Sequence, residues 1–295
     1  MNKRLFAICI TCCLVLTTVC LFLTLRNSSS YKDHRLQWWL SEINWDSAVR
    51  RYTGKNIRVA ILDSAIDTNH SDLQTSIKVI RTSEKKIGSS LEHGTGIAGI
   101  ICGNPAETNG MLGIAPEAEI ISFPITDNEN NVDIQQLISA IYKATEMDVD
   151  IINISCGISN FLSELEEAIN KAFSSGIVII ASAGNFMENK LLYPAAFENV
   201  LAVGSKDREG HKISPIGNIE KSIVYLPGTN IVTIAPNNSY STMFGTSPAT
   251  AILTGIIAVV LEANPKIENK TIYKYFNKET LENVDVLRIL KELGG

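Results

Sequence analysis

The chain reads as an α/β fold of three layers, a mainly parallel central sheet flanked by helices, with an N-terminal transmembrane helix in front. Three observations predict it. Five short, continuous, β-branched runs recur along the chain, and runs of this kind form strands buried on both faces. Helix-period segments lie between them, and strand alternating with helix builds a parallel sheet covered on both sides. Before all of these, Leu5 to Leu25 is free of charge. About 21 residues rising 1.5 Å each are enough to cross a hydrocarbon core of roughly 30 Å.

The elements follow in order. Lys3 and Arg4 hold residues 1–4 on the cytoplasmic side by the positive-inside bias, which Arg26, Lys32 and Arg35 soften. A cleaved signal peptide would have a shorter apolar core followed by small residues. No such site precedes Arg26, so residues 5–25 read as an uncleaved signal-anchor; lipid attachment at Cys20 is disfavoured because Val19, not a small residue, stands before it. The protein is then expected at the cell membrane, single-pass, with its body outside the cell; a secreted form is the alternative if the segment is cut. Residues 26–35, with Asn27-Ser28-Ser29-Ser30, read as a polar linker. Over Leu36 to Arg50, Trp38, Trp39, Leu40, Ile43 and Trp45 recur at near-helical spacing, which predicts a docked N-terminal helix at the start of one domain over 36–295. Strands are predicted at 57–62, 120–123, 151–154, 177–180 and 200–203, with helices at 134–141 and 162–169.

Composition narrows the function. At 45% hydrophobic and 19% charged, the 295 residues suit one large globular domain. The net charge is −5, and with Lys3, Arg4 and Arg26 beside the apolar run the body is more acidic still. Nucleic acid is not an expected partner, because binding it needs clustered Lys and Arg. Cys9, Cys12, Cys13 and Cys20 lie in the apolar run. Cys102 and Cys156 read as buried free thiols, with a disulfide between them as the alternative; no spacing resembles a zinc or disulfide framework, and no metal ligands are predicted.

Chemistry-bearing residues sit at predicted strand ends and helix starts. The first strand runs into Asp63-Ser64-Ala65-Ile66-Asp67, although a lone Asp there is commonly a turn or cap residue. Glu92-His93-Gly94-Thr95-Gly96-Ile97-Ala98-Gly99 places His93 at the start of a helix of small residues, which lets it pack closely on its neighbours. Ala181-Ser182-Ala183-Gly184-Asn185 ends the fourth strand with an amide in a glycine-bearing turn. Phe244-Gly245-Thr246-Ser247-Pro248-Ala249-Thr250-Ala251 opens an apolar helix, where the plain reading of Ser247 is an N-cap. A nucleotide-binding protein is the weaker reading, since no phosphate-cradling glycine motif follows a strand.

Together these segments resemble the subtilisin-like serine peptidases, the subtilase family S8, in motif and in the order Asp, His, Ser. The resemblance runs from about Leu36 to the C-terminus and includes Leu112-Gly113-Ile114-Ala115-Pro116, Asn153-Ile154-Ser155-Cys156-Gly157, Tyr193-Pro194-Ala195 and Ala235-Pro236. It implies the subtilisin-like fold and a serine endopeptidase with Asp63, His93 and Ser247 as its triad and Asn185 completing the oxyanion hole. Two backbone segments would clamp the peptide substrate: Ser155, Cys156 and Gly157 on one side, and Asn128, Glu129 and Asn130 on the other. Within Asp127-Asn128-Glu129-Asn130-Asn131-Val132-Asp133, three acids suggest selection of basic residues, with a solvated loop as the plain alternative. The resemblance implies no cofactor and allows a structural calcium ion, since Asn104 to Gly110 aligns with a calcium-bearing loop that here lacks a dense ligand pattern.

The chain also departs from the family. Pro248 and Ala251 stand where Met and Pro are common, Ala65 where Gly is usual and Gly96 where a second His is usual. Proline is tolerated in the first helical turn, so none of these removes a catalytic group. His70 reads as structural, and His34 and His211 as surface residues. Only some 30 residues separate the apolar run from Ile57, too few for a folding-assisting propeptide. In this the chain is similar to the short subtilisin-like peptidases that remove lantibiotic leader peptides at the cell surface. The rival from another class is an inactive relative that binds peptides without cutting them; the intact triad residues speak against it.

Overall fold

Strand and helix alternate along the chain. The structure, a computed structural model, describes residues 37–45, 51–73, 77–80, 90–105, 110–185, 190–214, 221–278 and 280–294. The expected n-region, membrane span and linker over 1–35 lie outside the described residues, as does His34. A short helix α1 (Trp38–Glu42) leads to β1 (Arg58–Asp63), β2 (Ile77–Val79), α2 (Glu92–Cys102), β3 (Glu119–Pro124), α3 (Ile134–Glu146), β4 (Ile151–Ile154), α4 (Ser163–Ser174), β5 (Val178–Ser182), β6 (Leu201–Lys206) and β7 (Ile223–Pro227). A hairpin of β8 (Ile231–Ala235) and β9 (Ser239–Met243) follows, then α5 (Thr246–Ala263), α6 (Asn269–Phe276) and α7 (Val286–Leu293).

Seven strands form one sheet in the order β2-β3-β1-β4-β5-β6-β7, every neighbouring pair parallel. Because side chains alternate along a strand, successive residues feed different layers. Val59, Ile61, Val178, Ile180, Leu201 and Val203 pack with α2, α5 and α7 on one face. Ala60, Leu62, Ile152, Ile154, Ile179 and Ala181 pack with α3 and α4 on the other. The five expected strands are present, four within two residues of their predicted bounds and the fifth, β6, running three residues longer at its C-terminal end.

Among the described residues, α5 is the one helix long and apolar enough to cross a membrane, with mean hydropathy 1.6. Its burial, 83% within the protein, makes it the core helix instead. The N-terminal helix is shorter than the pattern over Leu36 to Arg50 suggests. Asn44, at φ 53°, turns the chain after Ile43 and directs Trp45 into the core along with Trp39 and Leu40. The sequence reading missed β2, β7 and the hairpin. The hairpin is antiparallel, with a three-residue connection over 236–238 in which Asn237 and Asn238 take the left-handed region that asparagine tolerates.

Candidate active site

The chain runs from β1 to β3 on one side and then to β4 on the other, so β1 sits where strand order reverses. Crevices outside the carboxyl ends of strands at such points are where α/β sheets bind ligands. Asp63 is the last residue of β1, and the register pairs Leu62 with Ile154 and Ile154 with Ala181. Ser155 therefore emerges level with Asp63, and Asn185 follows three residues after the end of β5.

Asp63 is neither a turn nor a cap residue. It is 3% exposed, and its Oδ1 accepts from His93 Nδ1 at 2.7 Å and from the Ser64 N–H at 2.6 Å. Oδ2 is buried and finds no hydrogen-bond partner among the described residues. The Asp63 charge raises the His93 pKa above its ordinary 6.5; burial opposes the rise and the hydrogen bond adds to it. The start of α2 is held against β1 by a short contact that the glycine permits. The Gly94 N–H donates to Ser64 Oγ at 2.8 Å, and a Cβ on Gly94 would lie 2.3 Å from the Ser64 carbonyl oxygen.

Ser247 is not the N-cap of α5. Gly245, at φ 98°, occupies that position, and Ser247 is the second helical residue, followed by Pro248 within the first turn where a proline fits. The Ser247 hydroxyl donates to the Ser155 carbonyl at 3.0 Å. Asn185 Oδ1 accepts from the Thr246 N–H at 2.7 Å and the Thr246 hydroxyl at 2.9 Å, which leaves the NH₂ end free to donate elsewhere. A Cβ on Gly245 would come within 2.5 Å of Asn185 Oδ1, so the glycine is what lets the amide approach. Beneath the site, Asn153 donates to Thr254 and accepts from Ser155, fixing β4 to α5 through buried polar groups.

Of the expected substrate-clamping segments, Ser155 to Gly157 continues β4. It is backed by paired hydrogen bonds between Ile158 and Tyr193, and Leu192 leaves no room for a side chain at Gly157. The segment with Asn128, Glu129 and Asn130 is a tight exposed loop closed by the Thr126 and Val132 bridge. Its acids are mostly spent on structure. Asp127 accepts from the Asn131 side chain and from the Glu129 and Asn131 N–H groups, and these bonds hold its carboxyl below the usual range. Asp133 caps α3 by accepting from the Gln136 N–H.

The hairpin is the part of the site that the sequence reading missed. Asp67 Oδ2 accepts from the Asn237 N–H, His70 Nε2 donates to the Ser239 carbonyl, and Tyr240 donates to Asp72, so the segment after β1 anchors β9. His70 is buried and structural, as expected, while His211 is exposed beside Asp207. The space beside Gly96, where the family usually has a His, is filled by Met243, whose Sδ would lie 2.7 Å from a Cβ there. Cys102 and Cys156 are free thiols, and burial raises the Cys102 pKa. Around the loop that aligns with a calcium site, Asp72 already accepts from the Met111 N–H and the Tyr240 hydroxyl. Residues 106–109 lie outside the described ones, and among the described residues no group of three or more His, Cys, Asp or Glu side chains gathers as metal ligands.

The comparisons with known proteins agree with this geometry. The family model for the subtilase family matches residues 54–294. The major intracellular serine protease of Bacillus subtilis is 34% identical over 270 residues, covering 85% of this chain and 82% of that protein. Subtilisin DY of Bacillus licheniformis is 31% identical over 225 residues, covering 73% of this chain and 80% of its own. Among solved structures, the prenylagaramide maturation protease PagA superposes with a TM-score of 0.73 at 26% identity, over 84% of this chain and 98% of that one. The protease domain of PatA superposes with 0.70 at 28% identity, over 80% and 96%. A parallel sheet that delivers Asp63, Ser155 and Asn185 to one edge, with a matched sequence spanning nearly all of it, leaves one assignment: the chain belongs to the subtilase family and is a serine endopeptidase.

Proposed function

We infer that the chain cuts peptide bonds with Ser247 as nucleophile, His93 as general base and then acid, and Asp63 as the group that holds the imidazole. The 2.7 Å contact between His93 Nδ1 and Asp63 Oδ1 carries this reading. It fixes the proton on Nδ1 and leaves Nε2 as the acceptor a serine needs, because a hydroxyl is a poor nucleophile at neutral pH. The Ser247 hydroxyl now bonded to Ser155 would turn toward Nε2 when substrate binds; such contacts are commonly loose without substrate. The attack creates an oxyanion, which the free NH₂ of Asn185 and the Ser247 N–H would receive. The Asp63 charge stabilises the imidazolium that forms as His93 takes the Ser247 proton, and His93 then passes that proton to the leaving amine.

The substrate is a precursor peptide in this reading, supported by the likeness to the prenylagaramide maturation protease PagA. The enzyme would work at the outer face of the cell membrane, anchored through 5–25 and tethered by 26–35, with its peptidase domain from 36 onward. A membrane-impermeant fluorophosphonate probe on intact cells tests chemistry and placement together. It should label the wild-type enzyme, and Ser247→Ala and His93→Ala should each abolish labelling without changing the melting temperature beyond a few degrees. A folded wild-type protein that takes no label even in lysate would instead favour a peptide binder that does not cut.

A further inference from the structure

A cavity of about 250 Å³ opens against the His93 ring, walled by Glu92, Asn130, Met243 and Phe244. Neither Asn185 nor the Ser155 to Gly157 segment lines it. With Asn185 and the Ser155 to Gly157 segment outside its lining and the chain just before Ser247 inside it, the cavity is assigned to the side of His93 where the imidazole hands its proton to the departing amine. Its two kinds of wall belong together chemically. Phe244, 59% exposed, and the half-buried Met243 form an apolar face held in place by the anchored hairpin. Glu92 is exposed at the first turn of α2, and no ion pair to it exists among the described residues. An aliphatic stem along the apolar face with a cation near the carboxylate, within reach of the Phe244 ring, satisfies both.

We propose that this cavity selects a Lys or Arg as the substrate residue that follows the scissile bond, with Glu92 reading the charge and Phe244 and Met243 the stem. The proposal rests on the peptidase reading above. It also relocates the preference for basic residues from the 127–133 loop, where Asp127 and Asp133 are engaged in their own turn and helix cap. The competing role for Glu92 is structural, a carboxylate favoured at the start of a helix. That role moves stability and leaves the cleavage profile where it was.

The test is a synthetic peptide library randomised around a central stretch, digested with the full chain, each cut site read by mass spectrometry. Wild-type protein should enrich Lys and Arg directly after the cut by about three- to tenfold, the scale of one exposed ion pair plus a cation–π contact. Glu92→Gln should remove most of that enrichment, and Glu92→Lys should turn it toward Asp and Glu. A profile identical in all three proteins, or a basic preference confined to positions before the cut, overturns the proposal and leaves the peptidase standing. A wild-type protein that cuts nothing in the library, under conditions where Ser247 takes the fluorophosphonate, overturns it too. Absence of both cutting and label sinks the peptidase reading itself.

Discussion

The proposed base, His93, answers to one neighbouring charge. Asp63 raises its pKa above 6.5, so the folded protein holds the imidazole proton to higher pH than the unfolded chain does. The linkage follows: the stability this pair supplies is fully present below pH 6.5 and is lost as pH rises through the higher folded value. Activity runs the other way, because only neutral His93 accepts the serine proton. The acidic limb of kcat/KM should therefore lie above pH 6.5 in the wild type and move to lower pH in Asp63→Asn, with kcat falling by roughly 10⁴ as the tautomer is lost. A pH–rate profile whose limb stays in place in that variant would remove Asp63 from its assigned role. At this scale the residue types were legible in the sequence, since each motif lies at a strand end or helix start that local pattern identifies. The plain readings of Asp63 and Ser247 as caps failed for a reason no local pattern contains: Gly245 took the cap position, and His93, 30 residues away, claimed the Asp63 carboxylate.

Among the elements, α2 and the β8-β9 hairpin set the geometry around His93. The contact of Gly94 with Ser64 aims the His93 side chain at Asp63. Gly94→Ala would force a methyl group to within 2.3 Å of a backbone oxygen that has little freedom to move. We expect a destabilisation of about 1 to 3 kcal/mol, together with a loss of activity larger than lowered stability explains at 25 °C. Thermal unfolding and kcat on the same preparation check it, and an Ala variant with unchanged kcat would show that the helix start can shift freely. The glycine-rich helix was readable from its sequence, and so were five of the seven strands of the sheet, β2 and β7 being missed, because a continuous β-branched run is a local signal. The hairpin was not. β9 reads Ser-Tyr-Ser-Thr-Met, with no apolar run, and becomes a strand because its turn and its anchors to Asp67, His70 and Asp72 hold it against α2.

Across the whole molecule, the N-terminal segment joins parts of the chain that are far apart in sequence. Gln37 exchanges two hydrogen bonds with Leu112, Glu42 pairs at 2.7 Å with Lys206 at the end of β6, and the Ile43 carbonyl accepts from the Val286 N–H at the start of α7. Trp39, fully buried, is the apolar centre of this clasp. Trp39→Ala should cost about 3 to 5 kcal/mol, read as a lower denaturant midpoint at unchanged slope. A midpoint equal to that of the wild type would show that the segment merely rests on the surface. Periodicity, motif order and composition by themselves determined the layered α/β fold, the family chemistry and the docked N-terminal segment, because each is written in residues close together along the chain. Only the tertiary structure decided that the Ser247 hydroxyl rests on Ser155, that Met243 fills the space beside Gly96, and that Glu92 is the acid beside the His93 cavity while Asp127 and Asp133 are spent. Those outcomes depend on which atoms from distant segments reach hydrogen-bonding or van der Waals distance, and packing in three dimensions sets that.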